Sequence, residues 1–237
     1  MIEPLLWKEW HEQRWKLAFG TVMLVFFTGA FFAAKLTSDR EVVVVVWGLG
    51  GLVLSLYSAM GAFAPEVTYR TKLFLFAKPA ELWKSFFCKW FFGWLNFAVP
   101  MVLCSAILAL ITLLRQDGSS FALKYVIRGT FAVVCTGTMF YSMTCCFAPA
   151  KGGEAAVGIT GLLILLVSLF HGMFIDIVGR ISDCPELLRE IIVFISPFTW
   201  LHIMGRIYNM RTSVLITEQA IIFIVTILIG LRKWRRS

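Results

Sequence analysis

The sequence predicts an all-α, polytopic membrane protein of six transmembrane helices, on three observations. Of its 237 residues, 59% are hydrophobic, where an ordinary soluble domain is nearer half apolar. Only 15% are charged, against roughly a quarter in such a domain. The apolar residues also fall in six blocks, at 17–34, 42–64, 90–114, 125–148, 155–178 and 214–231. Each is long enough to cross a hydrocarbon core about 30 Å thick as a single helix.

The first block resembles a signal peptide in its basic approach and small-residue end. It is too long, however, and Glu3, Glu9 and Glu12 precede it, so it reads as a retained span. Ahead of it, over 3–16, Leu6, Trp7 and Trp10 alternate with Lys8, Glu9, Glu12 and Arg14 at helical spacing. This pattern predicts an amphipathic interfacial helix with its tryptophans at headgroup depth; a plain cytoplasmic extension of the first span is the alternative. In the second block, Gly48, Gly50 and Gly51 suit close helix packing. Lys89 opens the third block. The sixth carries Glu218 and Gln219 near its start and is the weakest.

The connection 179–213 has structure of its own. Ser182 or Asp183 can cap a helix begun by Pro185, with an apolar stripe from Leu187 to Ile195. Pro197 ends it, and a second apolar run follows through Phe198, Trp200, Met204 and Tyr208. Two short helices dipping into the outer leaflet satisfy the pattern. No internal repeat is evident, and 1–237 reads as one domain.

Lysine and arginine set the orientation. The termini and the connections 65–89 and 149–154 receive 13 of them and the other side 9, which places both termini in the cytoplasm. The net charge of +8 does not point to nucleic acid, because the cations flank apolar blocks instead of forming a basic face. Of the six cysteines, five lie in or at the ends of the blocks. Cys184 remains, as a free thiol or a bridge between two copies of the chain.

Catalytic chemistry finds little to use. There is no phosphate-cradling P-loop, so the chain is not expected to hydrolyse ATP, and no nucleophile comes with a base and an orienting group. The block centres are nearly free of charge. Glu66, Lys89, Arg128, Glu154 and Asp176 lie near block ends, where snorkelling accounts for them. His171 and Asp176, five residues apart, do not share a helical face. Met139, Met143, Cys145 and Cys146 offer soft donors of the kind cuprous copper takes, but they are equally ordinary packing residues, and no metal site is assigned to them.

The most informative stretch runs from Pro65 to Trp90. It leaves the second span through Ala64, Pro65 and Glu66, passes Arg70, Thr71 and Lys72, and turns apolar over 73–76. Lys78 and Pro79 follow, then an amphipathic run through Leu82, Trp83, Lys84 and Phe86, and Lys89. Pro79 suits a first helical turn, so a short helix across the inner membrane surface is expected, with a basic loop as the plainer alternative.

These residues resemble the permease subunits of the ABC-2 type family of ATP-binding cassette transporters. In that family an acidic residue closes the second span, followed by a threonine-leucine stretch, an apolar run, a proline, a short amphipathic helix and a lysine. Here those places hold Glu66, Thr71, 73–76, Pro79, 82–86 and Lys89. The likeness extends to the N-terminal LLWKEW, the six-span layout and Ser196, Pro197 and Phe198. Arg70 stands where the family usually has glycine.

The resemblance implies an export permease in the inner membrane of a bacterium, paired with a second copy or a related permease. Two cytoplasmic ATPase subunits, which bind the ATP and magnesium, would drive it. The segment after Glu66 would be the coupling helix, with Pro79 and Trp83 packing into the ATPase and Arg70, Lys78 and Lys84 as charged contacts. A permease serving metalloprotein maturation, with copper or haem as cargo, is a narrower form. A noncatalytic membrane scaffold and an intramembrane enzyme are the other readings.

Overall fold

The interior of this protein combines apolar clusters with many buried polar side chains, and many large apolar side chains lie exposed on its outside. The computed structural model describes residues 3–33, 48–68, 82–114, 120–147, 153–180 and 212–236. They form six α-helices: α1 Glu3–Ala33, α2 Gly48–Thr68, α3 Leu82–Leu114, α4 Ser120–Phe147, α5 Glu154–Arg180 and α6 Thr212–Arg236. Among the described residues there is no strand.

Pairwise contacts give each helix its direction. Lys89 meets Glu9 and Asn96 meets Gln13, while Gly20 faces Asn96 and Pro100. Thus α1 and α3 advance side by side in parallel. Gly20 touches Leu54, Gly50 touches Leu24 and Gln13 reaches Gly61, so α2 is antiparallel to α1. Trp94 bonds Thr138 and Thr130 bonds Ser105, which makes α4 antiparallel to α3. Gly158 lies on Met60 and Gly161 on Leu56, which sets α5 against α2. Gly230 lies on Phe86 and Phe223 on Trp90, which sets α6 against α3. The helices alternate up and down, and the start of α1, the end of α6 and the ends bracketing 69–81 share one end of the bundle. We call it the hook end.

Helices α2, α3 and α4 form the centre. One apolar cluster gathers Leu24, Met101, Cys104, Leu108, Val126 and Val133; a second joins Ala59, Ala62, Phe97, Ala98, Tyr141 and Val157. Glycines let backbones approach: a β-carbon on Gly51 would lie 2.7 Å from Val133, and one on Gly137 2.9 Å from Phe97. The packing role expected of the Gly48, Gly50 and Gly51 group holds for the last two, whereas no described residue lies within 4 Å of a β-carbon on Gly48.

The outer faces carry exposed Phe19, Val22 and Phe26 on α1, Leu103 and Leu110 on α3, Leu162, Val167 and Phe170 on α5, and Ile224 and Leu228 on α6. Buried within are Glu9, Gln13, Lys89, Asn96, Ser58, Thr136, Ser142 and Thr144. Exposed apolar surface on this scale marks faces that meet lipid or another protein. Among the described residues, two segments are long and apolar enough to cross a membrane, Trp83–Ile111 and Gly129–Phe147; the apolar parts described in α2 and α5, Gly50–Ala62 and Glu154–Ser168, are shorter.

Three expectations need correction. The interfacial helix at 3–16 and the span from 17 are one uninterrupted helix, because Glu9, Gln13 and Gly20 all pack in line along α3. The amphipathic run at 82–86 is not a separate surface helix but the first turns of α3, held there by burial of Ser85 and Phe86. The second helix does not stop before Pro65 but continues to Thr68.

Candidate functional site

The hook end holds the chain's densest polar cluster among the described residues, built from three helices. On α1, Glu9, Gln13, Lys16 and Gly20 recur every three or four residues and so lie on one stripe. On α3, Lys89 and Asn96 are two turns apart on the matching face. Because α1 and α3 run parallel, the two stripes meet pair by pair. Lys89 Nζ donates to Glu9 Oε1 at 2.7 Å with both side chains almost fully buried, 3% and 2% exposed. Asn96 Nδ2 donates to Gln13 Oε1 at 2.7 Å.

The third partner is the backbone of α2. Gln13 Nε2 and Lys16 Nζ both donate to the Gly61 carbonyl at 3.4 Å. That oxygen is free because its helical donor would be the amide of residue 65, which is proline and has no N–H. The same logic holds in α3, where Pro100 removes the donor for the Asn96 carbonyl and Gly20 of α1 faces that oxygen. Helix α1 therefore covers both proline-freed carbonyls. Burial lowers the Lys16 pKa from its ordinary 10.5, against the opposing pull of Glu154, Glu12 and Glu9.

Lys89 thus departs from its sequence assignment. It does not snorkel from a helix end but sits in an ion pair, a role kept for charges with a structural or functional use where water is scarce. Glu9, Gln13, Lys16 and Asn96 were not among the expected site residues. Their signal was the polar i, i+4, i+7 stripe on α1, but only the parallel pairing with α3 gives it a partner.

Of the expected coupling residues, Arg70, Lys78 and Pro79 lie outside the described residues, as does the side chain of Glu66. Trp83 is half-exposed at the start of α3, with Lys84 Nζ 5.4 Å above its ring and Phe87 edge-on to it. On the outer face of α1, Trp7 stacks on His11, Trp10 is exposed, and exposed Arg14 lies 5.7 Å over Trp15. Met139 is buried and Met143 partly so. A β-carbon on Gly230 of α6 would lie 2.5 Å from Cys146 Sγ and 3.1 Å from Phe86, so that thiol packs against neighbouring helices. Among the described residues no three His, Cys, Asp or Glu side chains converge as metal ligands. Cys184, His171 and Asp176 lie outside the described side chains.

The cluster fastens α1 to the last turns of α2 and the first turns of α3, the two ends from which residues 69–81 are hung. No protein-family model matches the chain, and no curated protein matches it.

Proposed function

We propose that the chain is the permease subunit of an ATP-binding cassette exporter of the ABC-2 type, a six-span inner-membrane protein with both termini cytoplasmic. It works as a dimer with a second copy or a related permease, and two cytoplasmic ATPase subunits that bind ATP and magnesium drive it. The observation that carries the reading is the polar cluster of α1, α2 and α3, which binds together the two helix ends flanking the proline-marked, basic segment 69–81. A bundle built only to sit in lipid has no need of a buried ion pair there, since apolar packing of similar volume is as stable or more so.

The apolar exterior supports the six spans, and the alternating helix directions support termini on a common side. Helix α1, at 31 residues, is about 46 Å long against a hydrocarbon core of about 30 Å. Its first turns, with Trp7, Trp10 and Arg14, then stand at or beyond the headgroups, beside Trp83 and Lys84 of α3. In this arrangement the ATPase grips 69–81 around Pro79, with Arg70, Lys78 and Lys84 as charged contacts and Glu66 at its root. Movement passes into α2 and α3 and opens a path along the permease interface.

The test is capture of the full chain from its native membrane, followed by replacement of Pro79, Trp83 and Lys84 together by alanine. A cytoplasmic ATPase should copurify with the unaltered chain, and the replacement should lower transport-linked ATP turnover roughly tenfold, the loss of about 1.4 kcal/mol of coupling. Absence of any ATPase overturns the reading. An ATPase that stays bound with turnover indifferent to the replacement identifies a scaffold instead.

A further inference from the structure

The Gly61 carbonyl has an unusual status. Proline within a helix removes the bond its i−4 carbonyl would accept and weakens the helix locally, and in a water-poor setting the freed oxygen must find another donor. Two side chains of α1 supply it. Both bonds are 3.4 Å long, beyond the usual 2.7–3.2 Å range, so each is weak and the pair shares one acceptor. Lys16 is also positioned by shape, since a β-carbon on Gly61 would lie 2.7 Å from its Nζ; only glycine leaves room for the ammonium against the α2 backbone. By contrast, the ties from α1 to α3 are 2.7 Å bonds between buried side chains. One flank of segment 69–81 is therefore bolted to α1 and the other is merely clasped.

We propose that α2 carries a hinge at Gly61–Pro65 that Gln13 and Lys16 of α1 hold closed, so that releasing this clasp lets the last turns of α2 swing while α3 stays fixed to α1. It deepens the coupling reading by naming the moving joint of the same site, but it stands on contacts within this chain alone. Gln13 and Lys16 are positioning residues: they act on segment 69–81 through the backbone of α2. An alanine at Gly61 would displace the Lys16 ammonium from its present position over the α2 backbone.

The chemistry supplies its own control. Pro65→Ala restores an amide donor to the Gly61 carbonyl, after which the α1 side chains are no longer needed at that oxygen. The experiment is hydrogen–deuterium exchange of peptides covering 61–68 in the purified full chain in lipid nanodiscs. In the proline background, Gln13→Leu with Lys16→Met should speed exchange there about three- to tenfold, the effect of losing one net hydrogen bond. In the Pro65→Ala background the same pair should change it less than about twofold. Loss of the Gln13–Asn96 contact is common to both backgrounds and cancels in the comparison. Equal acceleration in the two backgrounds overturns the hinge, and so does no acceleration in either.

If the double replacement does not fold, Lys16→Met alone and Gly61→Ala alone provide the same comparison. The exchange measurement needs no ATPase, so failure of the coupling reading and failure of the hinge are separate results. Where both hold, Pro65→Ala should keep the ATPase bound while lowering transport-linked turnover.

Discussion

At the scale of single residues, the Glu9–Lys89 pair sets the energetics of the hook end. Two buried charges 2.7 Å apart stabilise little compared with apolar residues of the same size, yet removing one alone is costly, because the other keeps its desolvation without its counter-charge. Among the described residues Glu9 Oε2 has no hydrogen-bond partner, so this carboxylate depends on its contact with Lys89. Glu9→Gln is expected to destabilise the chain by about 3–5 kcal/mol, and Glu9→Met with Lys89→Met to recover most of that loss. Thermal unfolding of the purified variants in detergent checks both. Lys16 provides the pH counterpart. Its folded pKa is lowered by burial from 10.5, so between that lowered value and 10.5 the unfolded chain binds more protons. Its contribution to stability therefore rises with pH across that window and is level on either side. Lys16→Met should remove this rise, seen as a flatter unfolding midpoint against pH over the same interval. An unchanged slope would show that the ammonium is already well solvated in the folded state.

At the scale of elements, small residues decide how closely the helices approach. A β-carbon on Gly93 of α3 would run into the Tyr141 hydroxyl and lie 3.0 Å from Ala62. Tyr141 cannot retreat easily, since its ring is fully buried and its hydroxyl donates to the Trp90 carbonyl at 3.0 Å. Gly93→Ala should cost about 1–3 kcal/mol by overpacking. Gly29 of α1 has nothing within 4 Å of such a carbon, and Gly29→Ala should be neutral or stabilising by up to about 1 kcal/mol. Thermal unfolding of the two variants side by side reads the difference. These elements also show what could be read from the sequence. The apolar blocks mark all six helices, because a run of apolar residues is a local property. Helix ends were misplaced where tertiary contacts override local chemistry: α2 passes through Pro65 because α1 satisfies the orphaned carbonyl, and α3 begins by Leu82 because Phe86 is buried with Ile227 and Trp234 of α6. The basic hook could be recognised as a pattern, whereas the Glu9, Gln13 and Lys16 stripe could not be assigned a role. Polar spacing on one helix does not name its partner.

At the scale of the whole molecule, the decisive quantity is the number of membrane crossings. Length and composition qualify Trp83–Ile111 and Gly129–Phe147, and a chain crossing with α3 and α4 alone is a coherent alternative to six spans. The two arrangements differ in what happens to α1, α2, α5 and α6. If those helices stayed in water, exposed Phe19, Val22, Phe26, Leu162, Val167, Phe170, Ile224 and Leu228 would form apolar surfaces of a kind that causes soluble proteins to associate. Under the six-span proposal, α1, which runs parallel to α3 and packs along it from Glu9 to Leu24, would share its bilayer. The same proposal would place α2 and α6, which lie antiparallel on α1 and α3, and then α5, which lies on α2, in the bilayer as well. Reporter fusions distinguish the cases. With six spans, a cytoplasmic fluorescent reporter should work at Phe76, Lys151 and Ser237, and a periplasmic phosphatase at Ser38, Gly118 and Ile195. With two spans, Gly118 alone would support phosphatase activity, and Ser38 and Ile195 would fluoresce. That second pattern would remove the membrane path from the functional reading.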